Sequence, residues 1–140
     1  MFLLDINVWL AMTFAGHSHQ LSAVRWFDSA SESSCSFCRM TQQGFLRIAT
    51  NPKAFPLKAL PLIHAWQAYD ALLADSRVAF AEEPPGLEQA WRNYTQMTSF
   101  SPKVWNDAYL AAFTKCSAYT FVTFDKGFGR YRDVPITILS

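Results

Sequence analysis

Apolar positions along the chain fall into short continuous runs, separated by stretches whose apolar residues recur at helical spacing. Met1 to Leu4 is apolar throughout and ends at Asp5, the pattern of a strand covered on both faces, as in parallel sheets. Ile6 to Phe14 is rich in helix-compatible residues, with Gly16 placed to close the element. Gln20 to Ala30 sets Ala23, Trp26, Phe27 and Ala30 on one helical face. After the polar stretch SESS, Cys35–Phe37 reads as a short strand. Arg39 to Thr50 then carries the stripe Phe45, Ile48, Ala49 and is stopped by Asn51-Pro52. Pro61 opens a helix over Leu62–Ala74. Arg77–Ala81 reads as a strand, Pro84-Pro85-Gly86 as a turn, and Leu87–Met97 as a helix. Ser101 as N-cap and Pro102 as first helical residue begin a helix reaching about Cys116. Tyr119–Phe124 is β-rich and stops at Asp125-Lys126-Gly127, and a last strand covers Val134–Leu139.

Strands and helices therefore alternate from end to end. That pattern predicts an α/β fold with a mainly parallel sheet and helices on both sides. Ligands of such sheets bind beyond the carboxyl ends of the strands, so residues just after strands are where chemistry is sought. The length of 140 residues fits one domain spanning residues 1–140. Half the residues (51%) are hydrophobic, which excludes a disordered chain. With 12 Lys+Arg against 11 Asp+Glu, net charge does not point to nucleic acid; only the distribution of charge would. Three cysteines are too few and too odd for a disulfide framework and favour a reducing compartment. The apolar start has no basic leader region and carries Asp5 and Asn7, so it reads as buried strand and helix rather than a signal peptide. No run is long enough to span a bilayer. A cytoplasmic protein is expected.

Three aspartates stand where the sheet rule points. Asp5 follows the first strand and Asp125 the penultimate one, while Asp107 lies within the Ser101-capped helix. Each has a local reading: Asp5 as a helix N-cap, Asp125 as the start of a turn. Asp107 is six residues past the expected cap, beyond reach of the first-turn amides, and its neighbours Val104, Leu110 and Ala111 are apolar. A carboxylate on such a face is costly unless paired, hydrogen-bonded or bound to a cation. Several carboxylates at one sheet end repel one another, and Mg²⁺ or Mn²⁺ relieves that repulsion. Such an ion serves to activate water and to neutralise charge on a phosphate.

The stretches FLLDINVWLA, GHSHQLSAVRWF, FCRMTQQGFLRIATNP, WNDAYLAAF and TFVTFDKGF cover nearly the whole chain. In that order they resemble PIN-domain nucleases, specifically the VapC-type toxins of toxin–antitoxin operons. The resemblance implies a PIN-like α/β/α sandwich and Mg²⁺-dependent (or Mn²⁺-dependent) hydrolysis of RNA, with transfer RNA a family expectation. It implies Asp5 and Asp107 as main metal ligands and Asp125 as a catalytic carboxylate that supports them or holds a second metal ion, with water attacking phosphorus in line to leave 5′-phosphate and 3′-hydroxyl ends. Asn7 matches a polar position near the site. A homodimer and a cognate antitoxin with a basic side chain for the acidic site are implied as well. One position departs from the pattern: many members carry Glu in the third helix where this chain has Gly44. The site is one negative charge poorer, a second metal ion is put in doubt, and Gln42 or Gln43 stands free to bond water or substrate.

Arg39, Arg47, Lys126, Arg130 and Arg132 are candidate contacts for RNA phosphates, with surface solvation as the competing reading. Cys35 and Cys38 have C-x-x-C spacing, which leaves a thiol redox reading open beside that of buried thiols. His17 and His19 lack a clear third ligand and read as loop residues. Two readings compete with the ribonuclease: a catalytically inert PIN-like module that binds RNA or protein, and the thiol protein.

Overall fold

The computed structural model describes all 140 residues, Met1–Ser140. Its strands are β1 (Phe2–Leu4), β2 (Cys35–Phe37), β3 (Val78–Phe80), β4 (Thr120–Thr123) and β5 (Ile136–Ile138). They form one sheet in the order β3-β2-β1-β4-β5, with every pairing parallel. The helices are α1 (Ile6–Thr13), α2 (Gln20–Asp28), α3 (Arg39–Ala49), α4 (Leu62–Leu73), α5 (Leu87–Tyr94) and α6 (Val104–Ser117), and a 3₁₀ turn covers Lys126–Arg130.

Successive residues of a strand point to opposite faces, and both faces here are covered. Leu4 and Val122 enter a core with Val8 and Trp9 of α1, Phe27 of α2, Phe45 of α3 and Tyr69 of α4. Leu3 and Phe121 enter a second core with Leu87 of α5, Ala108 to Phe113 of α6, and Phe128. This is why β1 reads as an unbroken apolar run. The two cores make the chain an α/β/α sandwich, as the alternation of elements predicted.

From the central strand β1 the chain winds outward through β2 and β3 on one side. It returns to β4 and β5 on the other. The winding reverses between β1 and β4, so the crevice of the sheet lies past their carboxyl ends. No helix is long and apolar enough to cross a membrane.

Helix boundaries differ by two or more residues from those the sequence predicts at the end of α2, which closes at Asp28 rather than Ala30, at the end of α5 and at the start of α6. Helix α5 ends at Tyr94 rather than Met97, where the Thr95 hydroxyl donates back to the Trp91 carbonyl at 2.9 Å and closes the last turn. Helix α6 begins at Val104, not Pro102. Ser101-Pro102-Lys103 forms a separate turn, in which the Val104 N–H donates to the Ser101 carbonyl at 3.1 Å, while the Ser101 hydroxyl accepts only a long 3.4 Å bond from Lys103 N–H. Asp107 is thereby the fourth residue of α6, within its first turn. The helix dipole favours a carboxylate there, which corrects the expectation that Asp107 lies beyond the first turn.

Candidate active site

Strands β1 and β4 are neighbours in register, Leu4 opposite Val122, and the Asp5 N–H donates to the Val122 carbonyl at 2.9 Å. The chain leaves β1 at Asp5, and it leaves β4 through Phe124 to Asp125. The first turn of α6 brings Asp107 to the same place. Asp5, Asp107 and Asp125 line a single cleft of about 340 Å³, together with Asn7, Lys103 and Asn106. Carboxylates 5, 107 and 125 in the sequence are brought together.

Thr123, the last residue of β4, ties this cluster together. Its fully buried hydroxyl donates to Asp5 Oδ2 at 2.6 Å and accepts from Asn7 Nδ2 at 3.2 Å and from the Asp125 N–H at 3.0 Å. One hydroxyl makes one donor and two acceptor bonds, so Thr123 is saturated. Asn7 Oδ1 in turn accepts from the Phe124 N–H at 3.4 Å. The backbone of the β4 end and the side chains of α1 are thus fixed to each other.

The local readings of the aspartates hold as well. Asp5 Oδ1 accepts from the Ile6 N–H at 2.7 Å as N-cap of α1, and Asp125 Oδ1 accepts from the Gly127 N–H at 2.7 Å in a tight turn. Capping does not require burial, however, and Asp5 is only 9% exposed. Removal from water lifts its pKa to about 6, against the pull of the Thr123 and Ile6 hydrogen bonds, and the charges of Asp107 and Asp125 push the same way as burial. Burial also raises the Asp107 pKa, with the Arg130 guanidinium opposing it and Asp125 adding to it.

Arg130 reaches into this cluster. Its Nη2 donates to Asp107 Oδ2 at 2.9 Å and to the Tyr131 hydroxyl at 3.2 Å, and the guanidinium lies 5.0 Å from the centre of the Tyr131 ring. The Arg130 side chain is 50% exposed and is not part of the cleft wall, so this cation pairs with Asp107 from the solvent side. Asp107 Oδ1 and Asp125 Oδ2 keep no hydrogen-bond partner in the protein. No three carboxylate, imidazole or thiol groups stand close enough to cage an ion by themselves.

The other sequence candidates separate. Asn7 lines the cleft. Arg39 lines a neighbouring pocket, its guanidinium 4.7 Å from the centre of the Phe80 ring. Lys126 is exposed beside Asp125 and is not part of the cleft wall. Gln42 is buried and accepts a hydrogen bond from Arg39. It faces inward, because it sits on the buried side of α3, and Gln43 takes the outward place. Gly44 packs against α1: a Cβ there would come within 2.1 Å of Ile6 Cδ1, so a side chain at this position requires the Ile6 side chain to move aside. Cys35 and Cys38 are both fully buried free thiols in different cores, and burial raises their pKa values. That opposes the exposed thiolate a redox pair needs, and the thiol reading is set aside. His19 stacks on Phe124 with ring centres 4.3 Å apart, and His17 lies in the loop before it. Sequence reasoning missed Thr123. A polar residue closing an otherwise apolar strand, just before Phe124-Asp125, was its signal.

The PIN domain family model matches residues 2–134. Among curated proteins, the chain is 39% identical over 145 aligned positions to Ribonuclease VapC41 of Mycobacterium tuberculosis, covering 100% of this chain and 99% of that one. It is 29% identical to Ribonuclease VapC38 of the same organism, covering 91% and 86%. Among solved structures, VapBC2 from Rickettsia felis bound to a promoter DNA fragment superposes with a TM-score of 0.69 at 11% identity, over 99% of this chain and 98% of that one. M. tuberculosis VapC20, described as a Sarcin-Ricin loop cleaving toxin, gives 0.67 at 18% identity, over 93% and 94%. At these identities the two structures speak for the fold.

Proposed function

The chain belongs to the PIN-domain family, and from that premise we propose that it is a metal-dependent endoribonuclease, the toxin of a toxin–antitoxin pair acting in the cytoplasm. The observation that carries the reading is the cleft at the β1–β4 crevice with Asp5, Asp107 and Asp125 in its wall. The full-length similarity to proteins named ribonucleases supports it.

The donor set fits Mg²⁺ or Mn²⁺. Every candidate ligand is a hard oxygen, and Mg²⁺ is usually held by one or two carboxylates while keeping several waters. A preformed three-residue cage is therefore not required. Asp5 and Asp107 would hold the ion, which when bound supplies charge neutralisation at the scissile phosphate and a more acidic water. Thr123 and Asn7 hold Asp5 and the Asp125 backbone in place. Asp125, with one oxygen anchored to Gly127, would orient the attacking water through the other and take its proton. Water oxygen bonds to phosphorus as the bond from phosphorus to O3′ breaks. The 3′ oxygen picks up a proton from solvent, and 5′-phosphate and 3′-hydroxyl ends result. Arg39 and Lys126 are suited to the flanking phosphates, transfer RNA being one candidate substrate. Exposed Leu62, Ile63 and Trp66 on α4 would serve a homodimer, and exposed Phe100 and Trp105 an antitoxin contact.

The test is cleavage of RNA by the purified chain with Mg²⁺, abolished by chelation and lost at least about 100-fold in Asp107→Asn. A second reading, an inert module, draws on the Arg130–Asp107 pair. It predicts no cleavage and no change of thermal stability on adding Mg²⁺ or Mn²⁺.

A further inference from the structure

Beside the acidic cleft lies a second pocket of about 440 Å³ with the opposite charge balance. The two share Ile6, Met40 and Asn106 in their walls, so a ligand can run from one into the other. One face of α3 supplies Arg39, Gln43, Gly44 and Arg47, at helical spacing, and contributes no carboxylate. The single acidic group in the wall is Glu83, which already accepts a hydrogen bond from the Tyr109 hydroxyl at 3.1 Å. Two guanidiniums against one carboxylate leave the pocket net positive.

The two arginines are differently held and both are available. Arg39 rests over the Phe80 ring and spends a donor on Gln42, out of the five a guanidinium carries. Neither Arg39 nor Arg47 takes part in any of the ion pairs of the chain. A strand of RNA passing the acidic cleft would have its charge met by a bound divalent ion at one phosphate only. Its next phosphate meets whatever the protein itself provides. Gln43 and Asn106 add neutral hydrogen-bonding groups at the junction, and the volume is nucleotide-sized.

We propose that this pocket is the subsite for the nucleotide adjoining the scissile bond, with Arg39 and Arg47 binding its phosphate and Gln43 and Asn106 facing its sugar or base. The assignment rests on the ribonuclease reading and adds to it where the substrate leaves the metal cleft. It makes Gln43, not Gln42, the glutamine that meets substrate.

The experiment measures binding of a fluorescein-labelled single-stranded RNA of mixed sequence by anisotropy, with Ca²⁺ replacing Mg²⁺, over a salt series. The Arg39→Gln/Arg47→Gln variant is expected to bind about tenfold or more weakly, with the slope of log affinity against log salt shallower by about 0.7 for the lost phosphate. Gln43→Glu, which adds a negative charge four residues from each arginine on α3, is expected to weaken binding in the same direction. It covers the case in which the double variant folds poorly. In cleavage with Mg²⁺, both variants should raise KM and largely keep kcat. Unchanged affinity in both variants overturns the subsite and leaves the ribonuclease reading standing. An equal loss in Arg92→Gln, on the other side of the sheet, also overturns it, since the effect is then general charge. Wild-type protein that neither binds nor cleaves RNA removes the ribonuclease reading and the subsite together.

Discussion

Asp5→Asn should make the metal-free protein more stable relative to wild type as pH rises. Asp5 titrates near 6 in the folded chain against an ordinary 3.8. The native state therefore holds a proton that the unfolded chain releases, and wild-type stability falls as pH climbs through that window. Below pH 3.8 the carboxyl is neutral in both states and costs nothing; above 6 the full penalty applies. At about 1.4 kcal/mol per pH unit, the gap is worth roughly 3 kcal/mol. The substitution also brings a cost. Asp5 accepts from both the Ile6 N–H and the Thr123 hydroxyl, and Thr123 has no lone pair left for an amide donor. One mismatch of about 1–2 kcal/mol is expected. It does not depend on pH, so it cancels from the slope. Thermal denaturation of both proteins in EDTA from pH 4 to pH 7.5 is the assay. The difference in Tm, variant minus wild type, should rise by roughly 10 °C for a chain of this size. A pH-independent difference would refute the reasoning, because the Asp5 charge would then carry no burial penalty. Adding Mn²⁺ at neutral pH should raise the wild-type Tm and leave that of the variant unmoved.

Other consequences are checked separately. Arg130→Gln removes the cation that competes for Asp107, so calorimetric affinity for Mn²⁺ should rise; a half-exposed ion pair is worth about 1 kcal/mol at most, which limits the gain to about fivefold. Weaker Mn²⁺ binding would mean that Arg130 positions Asp107 for the ion. Thr123→Val removes the hydroxyl shared by Asp5, Asn7 and Asp125, leaving buried polar groups unpaired at a cost of roughly 1–3 kcal/mol by urea unfolding. Gly44→Ala forces Ile6 aside and should cost roughly 1–3 kcal/mol, with Ile6→Ala in the same chain recovering part of it. Under the proposed homodimer, the wild type sediments as a dimer and Ile63→Glu/Trp66→Glu on the exposed face of α4 as a monomer, without loss of helicity.

The alternation of apolar runs and helical stripes was enough to read every strand and helix, and the position of Asp5 and Asp125 just past two strands was legible from the same pattern. Burial on both faces leaves that mark, because Leu3 and Leu4 serve different cores and must both be apolar. Sequence order could not say which strands are neighbours. That β4 lies beside β1 is fixed by long-range pairing, and only this pairing brings Asp125 to Asp5 and lets Thr123 bond three residues at once. The start of α6 was misread because Ser-Pro is a good cap locally, while the register of the helix against the second core decides where it begins. Gln42 and Gln43 look alike in sequence, and the packed face of α3 turns one inward and the other to the pocket. Arg130 shows the same division: the sequence offered it as a contact for RNA phosphates, and the folded chain determined that its charge rests on Asp107. Local spacing specifies which face of an element is apolar, but contacts between distant segments determine which polar side chains end up sharing a cleft.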